Sequence, residues 1–438
     1  MHTRKKLGVR AGQAVPRRRA AESAARPFPV GFWNYCPAEM LDVTAVTDWA
    51  EAGMTVAMSP EFGPEPAHEK RLVAILDAAF ERGIRVILCH RHGYWPHLTA
   101  SGEKQYRADF ARAAKIYGGH PAVFGFHVGD EPDTRQFADA CRAMRLQKEM
   151  APRLTPFCNL LPWHAGCETR VGHESWAAYL DAYVRQARPE FLCYDCYAQL
   201  NPDAAENPGG LEMYFRNLRE YSEAGQRHGI PFWTTLLSVG HFRYRCPNED
   251  LFRWQLNTAL AHGAQGILYF FFYMRQPHDN YRVAPMDEHG ERTETYAWLS
   301  RVNRTFLRWT APVVKELTLR SVSHAGRAWG GFKLFAGSGR VSRAQSHHGT
   351  PLIVSEFRHT SGSEYVMLVN NSQTESTQAE VWMRGSKPVL HRVGWGAAEA
   401  TAAGGEGWQG AAGEDFTVAH PWLAPGQMEL YRIADGRP

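Results

Sequence analysis

The chain has 438 residues, of which 44% are hydrophobic and 21% are charged. This length and composition indicate a soluble globular protein with one large and one small domain, and no apolar run approaches the roughly 18 residues of a membrane span. The formal net charge of +4 lies largely in the first twenty residues, so the folded part does not require a basic, nucleic-acid-binding face.

Residues 1–27 form the first distinct segment. They contain Arg4-Lys5-Lys6 and Arg17-Arg18-Arg19, which favours a solvated, disordered tail over a functional basic arm. The tail lacks the apolar stretch of a complete secretion signal. Cys193 and Cys196 have zinc-like spacing, but no second pair accompanies them, so buried reduced thiols are expected. Together these features predict a cytoplasmic protein.

A strand followed by a helix recurs eight times between residues 28 and 312. Short apolar runs, typical of strands buried on both faces, predict strands at 30–35, 55–59, 85–90, 123–128, 154–161, 191–197, 232–239 and 266–273. Helices are expected at about 42–52, 68–82, 103–117, 134–150, 174–187, 210–228, 249–262 and 293–310, with Gly or Pro before the next strand. The pattern predicts an α/β fold, a (β/α)₈ TIM barrel. A doubly wound sheet is the alternative, but no Gly-rich phosphate loop follows the first strand.

The pattern changes after residue 312. Short alternating runs, such as 364–369 and 427–432, are separated by Gly, Ser and Thr. This predicts a C-terminal antiparallel β-sandwich domain over residues 313–438. It contains no evident catalytic constellation, and a sugar-binding role stays open.

Active sites of TIM barrels lie at the C-terminal ends of the strands. Glu131, at the end of the fourth strand, is the best candidate for an acid catalyst, because the adjacent Asp130 would raise the pKa of one member of the pair. Asp195 lies in an apolar strand, where an unpaired carboxylate is costly. The alternative is structural: Asp130 caps the next helix, Glu131 is a first-turn acid favoured by the dipole of that helix, and Asp195 bonds an arginine or a backbone amide.

Aromatic, histidine and carboxylate side chains at the other strand ends are expected to contact a sugar through ring faces and hydroxyl hydrogen bonds. The expected contacts are Trp33, Tyr35, Glu61, His90, His92, Trp163, His164, Tyr194, Tyr197 and Tyr273. For several of them core packing or a structural role is the alternative. The histidines are loosely spaced, so neither a metal nor a cofactor is predicted. A carbohydrate substrate is the expected partner, without nucleic acid or membrane.

The sequence GFHVGDEP at 125–132, within a barrel followed by a β domain, resembles glycoside hydrolases of the β-galactosidase and cellulase superfamily. That resemblance implies that Glu131 is the acid/base catalyst. The family has Asn where this chain has Asp130, and its nucleophile is a Glu ending the seventh strand, where this chain reads TTLLSVGH at 234–241. The second carboxylate is therefore expected elsewhere, with Asp195 favoured, in a pairing similar to that of α-galactosidase barrels.

HVGDE at 127–131 also resembles the HxGGDE motif of β-N-acetylhexosaminidases, with one glycine missing. That resemblance implies that Glu131 protonates the leaving group while Asp130 positions the substrate's own acetamido group as nucleophile. Two other functions stay open. One is a non-catalytic carbohydrate-binding barrel that lacks the nucleophile, and the other is a metal-dependent hydrolase that uses the histidines at the strand ends.

Overall fold

The computed structural model describes residues 26–201, 208–275, 280–384, 388–404 and 416–435. The predicted tail therefore lies outside the described residues, apart from Arg26 and Pro27, which are exposed. Among the described residues, none of the helices combines the length and the apolar character needed to cross a membrane.

Parallel strands lie in all eight predicted places. They are β1 (Val30–Phe32), β2 (Val56–Phe62), β3 (Arg85–His90), β4 (Val123–Asp130), β5 (Phe157–Asn159), β6 (Leu192–Asp195), β7 (Phe232–Leu237) and β8 (Ile267–Phe270). Most are shorter than predicted, because the hydrogen-bonded pairing of the strands ends before the buried apolar run does. Cys196 and Tyr197, for example, are buried but follow the end of β6. By contrast, β4 extends past its predicted end to Asp130.

The strands form two parallel sheets, in the orders β1-β8-β7-β6 and β2-β3-β4-β5. Backbone contacts link these sheets at both ends. Thr55 donates to the carbonyl of Val30 at 2.8 Å, between β1 and β2, and Leu160 donates to the carbonyl of Cys193 at 2.8 Å, between β5 and β6. Each strand thus has its chain neighbour beside it, and the carboxyl ends of all the strands point the same way.

Helices follow the strands on their outer side. They are α1 (Ala45–Glu51), α2 (Pro66–Glu81), α3 (Trp95–Tyr117), α4 (Phe137–Met150), α5 (Glu168–Val171), α6 (Trp176–Ala187), α7 (Pro208–His228), α8 (Glu249–Ala261), α9 (Glu294–Trp309) and α10 (Ala311–Val314). The prediction was wrong for the start of α3, which lies well before residue 103. Gly102, with φ +77°, divides α3 into two helical stretches, and the sequence pattern identified the second alone.

Alternate residues of the strands face opposite sides. In β3, Ile87 and Cys89 belong to a cluster enclosed by the strands, which we call the inner cluster, whereas Val86 and Leu88 pack against the helices. Large aromatic rings fill the inner cluster; Phe191 and Trp233, for example, stack with centroids 4.2 Å apart. This alternation decides which side chains near the strand ends face the interior.

The C-terminal part is antiparallel, as predicted. The strands are β9 (Leu317–Ala325), β10 (Val341–Ser346), β11 (Leu352–His359), β12 (Glu364–Asn370), β13 (Thr377–Arg384), β14 (Val389–Val393), β15 (Glu399–Ala403), β16 (Phe416–Ala419), β17 (Trp422–Leu423) and β18 (Met428–Ala434). One sheet has the order β15-β14-β18-β12-β11-β9, and the other has β10-β13-β16 with β17 beside β13. Apolar residues of both sheets share one buried cluster.

The six-stranded sheet also packs against the helices, because its second face shares the large core cluster with α8. Polar contacts fix the register of this interface. Trp254 Nε1 donates to Asn371 Oδ1 at 3.0 Å, and Asn257 Nδ2 donates to the carbonyl of Gly426 at 2.8 Å. At Gly426 the backbone, with φ +65°, lies so close to α8 that an added Cβ would be 2.3 Å from the Cα of Trp254.

This close approach predicts a matched pair of substitutions. Gly349 has a similar φ of +71° but nothing within 4 Å of an added Cβ. Gly349→Ala should therefore lose about 1 kcal/mol of unfolding free energy, from the left-handed backbone alone. Gly426→Ala should lose about 1–3 kcal/mol more, because the chain must move away from α8. Chemical denaturation of both variants measures the difference, and equal losses would contradict the packing described.

Candidate active site

Three acidic side chains meet at the carboxyl ends of neighbouring strands. Asp130 ends β4, Glu131 follows it, and Asp195 ends β6, with β5 between them. The register pairs Asp130 with Asn159, the last residue of β5. Parallel pairing therefore brings the two carboxylates and the buried amide of Asn159 to the same edge, where Asp130 is exposed and Asp195 half-buried.

Asn159 connects all three acidic residues. Its Nδ2 donates to Asp130 Oδ1 at 3.0 Å and to Asp195 Oδ1 at 2.8 Å. Its backbone carbonyl accepts a hydrogen bond from the backbone N–H of Glu131 at 2.9 Å. We call Asp130, Glu131 and Asp195 the carboxylate group. A single residue thus holds two of its side chains and the backbone of the third.

The turn that carries Glu131 has an unusual backbone. Glu131 has φ +47°, a left-handed conformation that is uncommon for a residue other than glycine. Gly129, just before it, lies against the ring of Trp95, where an added Cβ would be 1.7 Å from the ring. The Glu131 side chain is 31% exposed, and its Oε2 lies 3.5 Å from Nη2 of Arg170.

Burial and, after it, neighbouring negative charges raise the pKa values of the group. Burial, followed by the charges of Asp195 and Asp130, raises the pKa of Glu131 to about 8, while Arg170 opposes this. Burial and the charge of Asp195 raise the pKa of Asp130 to about 7, although its outer side is open to solvent. Burial also raises the pKa of Asp195, and the hydrogen bond from Asn159 counteracts that. The group therefore retains a proton near neutral pH.

An aromatic cleft lies next to the carboxylate group. Its cavity of about 350 Å³ is lined by residues that include Trp33, Tyr35, Glu61, Tyr94 and His127. The rings of Trp33 and Tyr35 are nearly parallel, with centroids 6.0 Å apart. Burial raises the pKa of Tyr35, and the charges of Asp130 and Asp195 raise it further, so its hydroxyl lies within electrostatic range of both. The cleft thus combines flat apolar surfaces with nearby acid groups.

Tyr197 also belongs to this region. It follows β6 and stacks on Phe270 with centroids 5.3 Å apart, and the charge of Asp195 reaches its hydroxyl. The loop after β5 carries Trp163 and His164, both half-buried. The guanidinium of Arg216 lies 3.5 Å from the Trp163 ring centroid, so the helix layer already covers one face of this ring.

The structure does not bring four of the expected contact residues to the carboxylate group. The rings of His90, His92, Tyr194 and Tyr273 all pack on the helix side. Their neighbours are Tyr117 for His90, His97 for His92, Tyr221 for Tyr194 and Trp49 for Tyr273, whose hydroxyl accepts from the indole N–H of Trp49 at 2.7 Å. The physical reason is strand alternation: Cys89 and Cys193 take the inward positions, so His90 and Tyr194 face outward.

Asn159 and Arg170 were missed as functional candidates. Asn159 was detectable in principle, because an amide ending the strand between two acidic strand ends has suitable partners. The placement of Arg170 was not detectable, because it depends on how the loop containing α5 (Glu168–Val171) folds back over β4. The backbone N–H of Thr134, in the segment after β4, donates to the carbonyl of Arg170 at 3.1 Å.

No protein-family model and no curated protein matches the chain. Solved structures do. A glycoside hydrolase family 5 protein from Bacteroides vulgatus ATCC 8482 is 10% identical over 93% of this chain and 89% of that chain, with a TM-score of 0.54. A family 39 glycoside hydrolase from the gut symbiont Bacteroides cellulosilyticus WH2 is 12% identical over 94% of this chain and 82% of that one, with a TM-score of 0.50.

A β-galactosidase from Marinomonas ef1 is also similar, at 12% identity and a TM-score of 0.45 over 63% of this chain. The match spans 59% of that enzyme's length. At these identities the similarity concerns the fold. The family 5 and family 39 structures confirm, at the level of the fold, the resemblance to glycoside hydrolases that the GFHVGDEP motif indicated.

The carboxylate group predicts how stability depends on pH. In the unfolded chain these carboxyls ionise near pH 4, but their pKa values are raised in the folded protein. Their favourable contribution is therefore full below about pH 4 and is lost as the pH rises through about 7 to 8. Glu131→Gln cannot ionise, so it should raise the melting temperature by about 2 °C or more at pH near 8.5, but not near pH 4.

Glu149→Gln is the control, because Glu149 pairs with Arg107 at 2.9 Å on the outer surface. It removes the same charge without touching the carboxylate group, and its effect should not grow between the two pH values. Melting curves of the parent and both variants across this range provide the measurement. If the effect of Glu131→Gln on the melting temperature is the same at both pH values, the pKa of Glu131 is not raised in the folded protein.

Proposed function

We propose that the protein is a glycoside hydrolase built on a (β/α)₈ barrel, with a C-terminal β-sandwich, and that it cleaves O-glycosidic bonds in an oligosaccharide or glycan. The backbone links between β1 and β2 and between β5 and β6 support a closed barrel. The fold similarity to family 5 and family 39 glycoside hydrolases supports the architecture. The proposed activity depends on the carboxylate group.

The observation that carries the proposal is that Asp130, Glu131 and Asp195 all meet at Asn159, beside a cleft lined by aromatic rings. Glycoside hydrolysis needs one carboxylic acid to protonate the leaving oxygen, and a second carboxylate as nucleophile or base. Aromatic rings suit the apolar faces of sugars. The site therefore contains the groups that this chemistry requires, without a carboxylate at the end of β7.

Glu131 is the proposed general acid. With a pKa raised to about 8, its carboxyl is largely protonated at neutral pH and can give that proton to a departing sugar oxygen. As the proton leaves, the charge on Glu131 is favoured by Arg170, whose Nη2 is 3.5 Å away. The left-handed backbone at Glu131 directs this side chain from the strand end toward Asp195.

Asp195 is the proposed nucleophile or base. Asn159 Nδ2 donates to its Oδ1 at 2.8 Å and so favours the charged form. Glu131 is close enough that the charge of Asp195 raises its pKa, after burial. The separation of the two carboxyls in a complex with substrate would distinguish retention, at about 5–5.5 Å, from inversion, at about 6.5–9.5 Å. Asp130 fixes the orientation of Asn159, and Trp33, Tyr35, Glu61 and Tyr197 are the proposed sugar contacts nearest to the group.

A second candidate is substrate-assisted hydrolysis of a 2-acetamido sugar. The observation that favours it is the placement of Asp130, which adjoins Glu131, is open to solvent and is held by Asn159. In that scheme Asp130 orients the acetamido group, and Asp195 supports Asp130 through Asn159. The two schemes differ in their substrate, because the second requires the acetamido group.

Aryl glycosides test the proposal. Glu131→Gln should lower kcat/KM by about 10²–10⁴-fold on 4-nitrophenyl glycosides, because a poor leaving group needs protonation. The loss should be much smaller on 2,4-dinitrophenyl glycosides, whose leaving group needs little help. Asp195→Asn should lower kcat/KM on both. A panel of sugars in both anomers, with 2-hydroxy and 2-acetamido forms, identifies the substrate.

Glu149→Gln serves as the control and should keep the parent activity. If turnover is confined to 2-acetamido sugars and Asp130→Asn is as damaging as Asp195→Asn, the substrate-assisted scheme replaces the first. If no glycoside is turned over but sugars bind equally well to the parent and to Glu131→Gln, the protein is a carbohydrate-binding barrel instead.

Arg170 predicts a shift in the pH profile. The profile of kcat/KM should fall on the alkaline side as Glu131 loses its proton. Arg170→Gln removes the charge that lowers the pKa of Glu131, so the alkaline limb should move up by about 0.2–0.5 pH units. In the parent, added salt should move the limb in the same direction, because it screens the arginine. A limb that stays in place or moves down would contradict the assignment of Glu131 as the acid.

A further inference from the structure

Outside the carboxylate group, three side chains that commonly bind metals converge on the helix side of β3. They are His92, His97 and Asp109, and their candidate ligand atoms all lie within 4.8 Å of one another. Each is half-buried, so a small ion can reach them without opening the core. We call these three residues the His-His-Asp cluster.

The backbone near Gly102 builds this cluster. His92 lies in a short 3₁₀ turn, Arg91–Gly93, directly after β3. Gly102, with φ +77°, then breaks α3 and folds its first stretch back along the second. This fold brings His97 Nε2 to 2.9 Å from Asp109 Oδ2, although the two residues are far apart for one straight helix. The rings of His92 and His97 stack, with centroids 4.9 Å apart.

We propose that the His-His-Asp cluster binds a divalent transition metal ion of the zinc class. Two imidazole nitrogens and one carboxylate oxygen are a donor set that suits zinc, with a fourth position left for water. Ligand atoms around tetrahedral zinc are roughly 3.3 Å apart. His97 Nε2 and Asp109 Oδ2, now 2.9 Å apart, must therefore move slightly apart. The other pairs, which lie within 4.8 Å, must close by about 1.5 Å at most, which side-chain rotation can supply.

Neighbouring groups already orient these ligands. Gln105 Nε2 donates to Asp109 Oδ1 at 3.0 Å, which leaves Oδ2 directed at His97. Such hydrogen bonds to the outer atoms of ligands are characteristic of metal sites. The backbone N–H of His92 donates to His90 Nδ1 at 3.2 Å and fixes the 3₁₀ turn.

Two arginines, Arg91 and Arg112, also lie within electrostatic range of His92. Their charges act against a cation, so affinity must come from the three direct ligand bonds. This favours a transition metal, which forms strong bonds to imidazole, over calcium or magnesium, which prefer several oxygen ligands.

The cluster is placed to stabilise one wall of the cleft. Tyr94 and Trp95 lie between His92 and His97 in the chain. Tyr94 lines the cleft, and the Trp95 ring packs against Gly129, just before the carboxylate group. A metal that joins His92 to His97 would hold this segment at both ends. The inference does not depend on the proposed glycosidase activity, because binding is measured directly.

The experiment uses the full-length protein, freed of metal with a chelator and titrated with ZnCl₂ in a calorimeter. We expect one equivalent of zinc to bind and to raise the melting temperature. His97→Ala and Asp109→Asn should each weaken that binding more than tenfold, and Gln105→Ala, which retains all three ligands, should weaken it about tenfold. Co²⁺ in place of zinc should give the visible absorption of a tetrahedral site in the parent and not in His97→Ala.

His120→Ala is the matched control. His120 Nε2 lies 3.0 Å from Asp77 Oδ1, so it forms the same kind of His–Asp pair, without a third ligand near it among the described residues. It should keep the parent affinity. The proposal is overturned if the parent binds no zinc equivalent, or if His97→Ala and Asp109→Asn, folded by circular dichroism, bind zinc as the parent does. The latter result would place the metal elsewhere on the chain.

Discussion

The side-chain amide of Asn159 donates to carboxylates on the strands at either side of it, at 3.0 Å and 2.8 Å, while its carbonyl holds the backbone of Glu131. An amide has two N–H groups, so it satisfies one oxygen of each carboxylate and no more. The spacing of parallel strands thus determines how close Asp130 and Asp195 come, and Asn159 makes that closeness tolerable without adding a positive charge.

The cleft is a continuation of the core rather than a separate cavity. Trp33 is part of the inner cluster, yet it also lines the cleft and donates to Thr235 at 3.2 Å. His127 contacts Trp33 edge-on and packs on Phe157 below it. Because these rings are fixed by packing from beneath, the wall of the cleft needs little reorganisation to receive a flat ligand. Rigidity here comes from the same aromatic residues that fill the interior.

The fold was largely predictable because each strand is a short apolar run that is clearly separated from the helical pattern that follows it. The eight strand positions and the antiparallel C-terminal region follow from that pattern. Glu131 and Asp130 could be singled out as candidates by their place at the end of the fourth strand, and Asp195 because an acid is costly within an apolar strand unless it has a partner. The facing of His90 and Tyr194 could not be assigned so easily. A strand buried on both faces gives no polar side to set the phase of its alternation, so a one-residue error reverses every side chain.

The break in α3 escaped prediction for a different reason. Gly102 allows either a helix interior at some cost or a left-handed break, and the sequence does not decide between them. The packing of the Trp95 ring against Gly129 favours the break, because it holds the first helical stretch of α3 next to the turn that carries Glu131. The partners of Arg170 and of His97 likewise follow from the paths of loops and helices, which depend on contacts between distant segments.

The left-handed backbone at Glu131 also limits how the chain can change. A residue other than glycine in this conformation costs about 1 kcal/mol or more. Glycine would remove that strain and one of three crowded acids together, so selection for thermal robustness alone would favour it at this position. A carboxylate here therefore lowers the folding stability, while it supplies the proposed acid catalyst. Directed evolution for heat resistance without an activity screen should lose Glu131 early, and stabilising changes that spare the chemistry must be sought in parts of the chain away from this turn.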